Sequence, residues 1–163
     1  HLIFQNVEKA YRNGDDMRAR KEMLYASFLA GDAFSKSYVG YVHAVSHALS
    51  AAYNSPHGLT NAVLLPYFLD AYGPVIAGKL QTLALAAGVA DRRDSPGAAA
   101  QKFIKAVREL NRRMGIPETI PGIKEKDIPY LARHAAKEAN PLYPVPVLWN
   151  ARELERFFYM VME

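Results

Sequence analysis

The sequence contains no cysteine among its 163 residues. This absence excludes a disulfide framework and agrees with an origin in a reducing compartment. Nowhere do about 18 apolar residues follow one another without interruption, and the chain does not open with a signal-peptide pattern. The sequence therefore predicts no membrane association, and we expect a cytoplasmic protein.

The sequence also lacks a concentrated block of positive charge. Its formal net charge is +4 and its isoelectric point is about 9.3, values that raise the question of a nucleic-acid partner. The basic residues are scattered, however, and some alternate with acidic ones, as where Arg92 and Arg93 lie between Asp91 and Asp94. Such mixtures are typical of solvated helix faces, so we expect no nucleic-acid binding.

Strand-like alternation of useful length is absent as well, whereas apolar residues recur at helical spacing along the whole chain. Half of the residues are hydrophobic, which is enough for a buried core in a chain of this length. We therefore predict an all-α domain over residues 1–163, a bundle of about seven helices. The loop at residues 116–124 is the best candidate for an internal boundary, although both sides resemble parts of one bundle.

Local signals predict where the helices begin and end. The predicted caps and stops are Asn13–Gly14, Asp15 or Asp16, Gly88, Ser95–Pro96, Asp127 and Asn150. Pro66 predicts a kink or break inside an apolar helix that spans residues 58–72. Small residues recur on one face of the second helix, between Met23 and Phe34, and predict that this helix is buried in the middle of the bundle.

The most informative segment, residues 42–65, contains three of the five histidines. His43 and His47 are four residues apart, so they lie one turn apart on the same face of a helix. His57 follows in a Pro-His-Gly turn that opens the next apolar run. Two imidazoles on one helix and a third on the next turn could bind one metal ion. Such a pair is also common by chance, and His47 could simply bond to a backbone carbonyl.

Residues 31–66 as a whole resemble the signature region of the iron-containing (group III) alcohol dehydrogenases. The matching frame reads G-x-x-H-x-x-x-H-x-L, then P-H-G, then N-A-x-x-L-P. A later segment, N-P-L-Y-P-V-P at residues 140–146, resembles a C-terminal run in one branch of the family. The resemblance implies the C-terminal helical domain of that family, with a dehydroquinate synthase-like fold. The implied activity is NAD(P)-dependent hydride transfer between a primary alcohol and an aldehyde.

The resemblance also implies roles for individual residues. His43 and His57 would be metal ligands, and His47 would be a catalytic residue that relays a proton or contacts the cofactor. Phe34 corresponds to an aromatic residue near the substrate and cofactor, although a helix phenylalanine can equally belong to a core. The implied cofactors are Fe(II), or Zn(II), and NAD or NADP. His134, which is remote from the motif, is expected to be a surface histidine.

Two features of the family are missing from this sequence: the glycine-rich pyrophosphate loop and the D-x-x-x-H helix that supplies two further metal ligands. We therefore expect a nucleotide-binding α/β domain, absent here, to precede this segment and to bind most of the dinucleotide. By itself the segment should be inactive, bind metal weakly and expose apolar surface that favours a homo-oligomer.

The alternative interpretation is a free-standing helical interaction module without catalysis. A start codon near His1 would support the module. An upstream α/β extension of roughly 180–200 residues would support the enzyme.

Overall fold

The computed structural model describes residues 1–163 and contains eight α-helices. Their bounds are α1 Leu2–Arg12, α2 Met17–Ser37, α3 Tyr41–Tyr53, α4 His57–Tyr72, α5 Ala77–Ala87, α6 Pro96–Arg113, α7 Ile128–Ala139 and α8 Ala151–Val161. Short 3-10 helices span Gly73–Ile76 and Glu125–Asp127. The only β-type pairing is an isolated bridge between Ile120 and Met162. The all-α prediction is confirmed, with eight α-helices where about seven were expected.

Most helix ends follow the local sequence signals. The Asp16 side chain accepts a hydrogen bond from the Ala19 amide at the start of α2, and Ser95 caps α6 in the same way. Asn150 forms a reciprocal capping box at the start of α8. Gly88 ends α5 with a φ of 75°, a left-handed conformation that glycine adopts without steric cost. None of the helices combines the length and the apolar character that a bilayer span requires.

Two local predictions need correction. The break predicted at Pro66 is absent, because α4 continues as one helix to Tyr72, whereas a kink there stays a prediction. Pro66 and Phe68 are both buried, and this packing holds the segment helical despite the proline's missing amide donor. Asp127 precedes α7, but its side chain does not cap that helix. Its carboxylate instead accepts a hydrogen bond from the Tyr53 hydroxyl at 2.9 Å.

The contacts within the chain divide it into two compact units. The first comprises His1–Tyr38 and Pro74–Gly115, and the second comprises Val39–Gly73 and Ile116–Glu163. The later part of the second unit therefore begins at Ile116, the first residue of the loop that the sequence analysis gave as a candidate boundary. In the first unit α1 packs against α2, and α5 packs against α6.

The position of α2 differs from the prediction. Only Ala19 and Ala26 of this helix are buried, so α2 is not a helix enclosed by the bundle. It packs against α1, whereas Leu24 is 74% exposed and Phe28 is 69% exposed. On the predicted face only Ala26 is buried, whereas Ser27, Ala30 and Ala33 are exposed. Most of the small-residue face therefore stays uncovered, as do the apolar side chains beside it.

An aromatic cluster forms the centre of the second unit. Trp149 stacks against Tyr72, with ring centroids 4.8 Å apart, and also contacts Tyr41 at 5.5 Å. Phe68 stacks against Phe157 at 3.7 Å. Full burial of one such side chain stabilises a fold by roughly 1.5–3 kcal/mol. This cluster joins α4 and α8 to the start of α3, the helix that carries two of the candidate histidines.

Candidate metal centre

The turn between α3 and α4 places the third histidine beside the first two. Asn54 ends α3 in the left-handed region, with a φ of 53°, a conformation that asparagine tolerates better than most residues. Pro56 then precedes α4, where its fixed φ suits a helix start. His57 is the first residue of α4. Because α3 and α4 pack against each other, the first turn of α4 lies against α3.

The three imidazole rings form a compact cluster. The ring centroids of His43 and His57 are 5.3 Å apart, those of His47 and His57 are 4.9 Å apart, and those of His43 and His47 are 6.0 Å apart. The structure therefore brings these three side chains together. Their roles as ligands or catalytic groups remain predictions.

The environment of His43 favours its neutral form. Burial lowers the pKa of His43 below its ordinary value of 6.5, and the neighbouring His57 and His47 lower it further. A carboxylate nearby, Glu138, acts in the opposite direction but is the smallest influence. The neutral imidazole is the form that offers a lone pair to a metal ion.

Both ring nitrogens of His57 have partners. The Ser46 hydroxyl oxygen lies 3.1 Å from His57 Nδ1 and 3.3 Å from the His57 carbonyl oxygen. On the other side of the ring, Asn61 Nδ2 lies 2.9 Å from Nε2. The ring is thus bonded from α3 at one nitrogen and from its own helix at the other.

His47 is linked to α7. Its Nδ1 lies 2.7 Å from Glu138 Oε1, and because a carboxylate oxygen only accepts, Nδ1 carries the proton in this contact. The Tyr143 hydroxyl donates to the same oxygen at 2.8 Å. Burial and this bond to Glu138 raise the pKa of Tyr143 to about 12. Nothing in the sequence pointed to Glu138, since it is 91 residues from His47.

The donor set only partly fits a metal ion. Neutral imidazoles suit Fe(II) and Zn(II), but no three His, Cys, Asp or Glu side chains of the chain are grouped so as to hold an ion by themselves. A cleft of about 640 Å³ opens beside His47, and Ala48, Ala51 and Ala52 line it together with residues of α7. The arrangement can contribute ligands to a metal site and offers an apolar space next to it.

Comparison with known proteins identifies the family. The C-terminal profile of the Fe-containing alcohol dehydrogenase family matches residues 1–157. The chain belongs to this family.

Several alcohol dehydrogenases are similar to this chain. It is 38% identical over 161 residues to 1,3-propanediol dehydrogenase of Citrobacter freundii, with 96% of the chain and 41% of that protein covered. It is 40% identical over 142 residues to alcohol dehydrogenase 4 of Saccharomyces cerevisiae strain S288c, with 85% and 36% covered. The chain thus spans about two fifths of the length of these relatives.

Solved structures give the same result for the fold. A crystal structure of 1,3-propanediol oxidoreductase superimposes with a TM-score of 0.91 at 36% identity, over 98% of this chain and 42% of that one. The alcohol dehydrogenase from Oenococcus oeni gives a TM-score of 0.89 at 32% identity, again over 98% and 42%. The predicted Fe-containing alcohol dehydrogenase fold is therefore confirmed.

Two further residues from the sequence analysis have clear positions in this family member. Phe34 lies on α2 in the first unit, where it is 51% exposed, so it does not belong to a core. Its contact with a cofactor stays a prediction. His134 is exposed, as expected, and its ring contacts that of Tyr130 at a centroid distance of 4.5 Å.

Proposed function

We propose that the chain is the metal-contributing part of an NAD(P)-dependent alcohol dehydrogenase that interconverts a small primary alcohol and its aldehyde. The convergence of three histidine rings within a segment that matches the family profile carries this proposal. The relatives' names, 1,3-propanediol dehydrogenase and NAD-dependent methanol dehydrogenase among them, support the substrate class and the dinucleotide. The similarity to whole enzymes also favours this function over a free-standing interaction module.

His43 and His57 are the proposed metal ligands of this chain. The lowered pKa of His43 keeps its ring neutral near pH 7, and the ring of His57 lies 5.3 Å away, centroid to centroid. A bound Fe(II) or Zn(II) ion would supply Lewis-acid polarisation of the substrate oxygen. The remaining ligands, and most of the NAD or NADP site, would come from a preceding domain of the full-length enzyme.

His47 is the proposed proton-relay residue. Its Nδ1 proton is held by Glu138, so Nε2 is the nitrogen that remains free to accept or release a proton. The stacked contact with His57 places that ring beside the proposed ligands. The alanine-lined cleft next to His47 provides room for the short carbon chain of a small alcohol. Phe34 is the proposed aromatic contact to the cofactor.

The experiment that tests this function uses the full-length enzyme. His43→Ala and His57→Ala should each abolish alcohol-dependent NAD(P)H formation, because each change removes one metal ligand, while far-UV circular dichroism stays unchanged. The matched control is His1→Ala, which removes a histidine of the first unit whose ring bonds the Ala86 carbonyl. Wild-type turnover in either ligand variant would refute the assignment. Elemental analysis after anaerobic purification distinguishes iron from zinc, and full activity with stoichiometric zinc would refute iron.

A further inference from the structure

We propose that Ser46 is a positioning residue that keeps the proton of the His57 ring on Nδ1. It thereby leaves Nε2 unprotonated, as the nitrogen that can bind a metal ion in exchange for its contact with Asn61. This inference rests on the proposed function only in taking His57 as a ligand. The geometry that carries it lies entirely within the second unit, between the middle of α3 and the start of α4.

Ser46 is fully buried, and its hydroxyl has only two neighbours that it can bond, both on His57. A hydroxyl has one proton to donate. The carbonyl oxygen of His57 can only accept, so the hydroxyl satisfies both neighbours in just one way: it donates to the carbonyl and accepts from Nδ1–H. The neutral ring then has no proton on Nε2.

The contact on the opposite side of the ring agrees with this tautomer. Asn61 Nδ2 is a donor, and at 2.9 Å from Nε2 it requires an unprotonated nitrogen. Rotating the Asn61 amide by half a turn would present Oδ1 and require Nε2–H instead. In the observed orientation Asn61 Oδ1 is buried without a partner, so this amide does not by itself fix the tautomer. The two-point contact with Ser46 therefore decides which ring nitrogen is protonated.

A metal ion binds the deprotonated nitrogen of a neutral histidine, and partners that fix the other nitrogen orient the ring and set its tautomer. Without the Ser46 hydroxyl, the Nδ1 of His57, which lies in a partly buried contact, would lose its acceptor in the protein. The ring proton would then move to Nε2, where the rotated Asn61 amide can accept it. Removal of such an outer partner typically reduces metal affinity by about 10–100-fold.

The test uses the metal-free chain of 163 residues and two variants of Ser46. Long-range ¹H–¹⁵N NMR correlations, recorded above pH 7, show which nitrogen of each histidine is protonated. We expect the proton of His57 on Nδ1 in the wild type and in Ser46→Thr, and on Nε2 or divided between both nitrogens in Ser46→Ala. The matched control is Ser50→Ala, one turn further along α3, because the Ser50 hydroxyl is buried without a partner. It should match the wild type.

A Zn²⁺ titration followed on the same resonances supplies the second measurement. Ser46→Ala should weaken the response at His57 by about 10-fold or more, while Ser50→Ala leaves it unchanged. A wild-type His57 with its proton on Nε2, or an unchanged tautomer in Ser46→Ala, would overturn the proposal. A wild-type His57 that has the expected tautomer but does not respond to Zn²⁺, in this chain and in the full-length enzyme, would instead count against the proposed function. The two failures are therefore distinguishable.

Discussion

Removal of one buried hydroxyl should measurably weaken the second unit. Tyr41 is completely buried; its hydroxyl donates to Asn140 Oδ1 at 2.7 Å and accepts from the Trp149 amide at 3.0 Å. Tyr41→Phe preserves the ring and its stacking but leaves the Trp149 amide without an acceptor. A buried polar group left unpaired costs roughly 1–3 kcal/mol. With the weakened Asn140 contact added, we expect a loss of about 2–3 kcal/mol in the free energy of unfolding.

Urea denaturation can measure this loss at the affected position, because Trp149 is the only tryptophan of the chain. With a typical slope of about 1–3 kcal/mol per molar urea, a loss of about 2–3 kcal/mol should lower the midpoint of the fluorescence transition by roughly 0.7–3 M. Tyr159→Phe is the control, since Tyr159 lies on α8 and is 41% exposed. If both variants unfolded at the same urea concentration, the argument from the unpaired amide would be wrong.

Two further predictions concern helix ends and surface charge. Asn150→Ala removes the side-chain acceptor of the Glu153 amide, one of the two bonds of the capping box, and should cost about 1 kcal/mol, measured by the same urea titration. No loss would show that this side-chain cap adds nothing to stability. Glu8→Gln should lower stability near pH 7, because hydrogen bonds from Arg113 and Arg12 lower the pKa of Glu8 below 4.5. A carboxylate with a lowered pKa stabilises the fold above its unfolded-state pKa, and this stabilisation disappears as the pH falls through the folded-state value. Thermal unfolding midpoints of wild type and variant should therefore converge in acid, and a constant difference would contradict the argument.

The sequence predicts well what short-range chemistry decides. The cap of α2 at Asp16 and the reciprocal cap at Asn150 depend on residues at most three positions away, so their signals are readable in the chain itself. The histidine cluster is equally local: His43 and His47 share a helix face, and one turn brings His57 back to it. Fold class follows from the same helical periodicity.

The partners that act on these histidines are not predictable in this way. Glu138 reaches His47 across 91 residues, and only the packing of α7 on α3 brings them together. Ser46 is next to His47 in sequence, but the two side chains leave α3 in different directions. The Ser46 side chain is buried and bonds His57 at the start of α4. The exposure of α2 has a related cause. The small residues between Met23 and Phe34 predicted close packing along that face, yet only Ala26 among them is buried, because the coverage of a helix depends on where distant segments of the chain lie.

The two units alternate along the chain, and this order affects how the histidine cluster is assembled during synthesis. The first unit is completed only at Gly115, after the segment that carries all three histidines has been made. The helices that pack against that segment, α7 and α8, come only from the last third of the chain. They bring Glu138, which bonds His47, and Phe157, whose aromatic side chain packs against α4. Domains generally fold as units during translation. A ribosome that stalls near Gly115 would therefore have made the whole sequence of the first unit, and three histidines whose supporting helices do not yet exist.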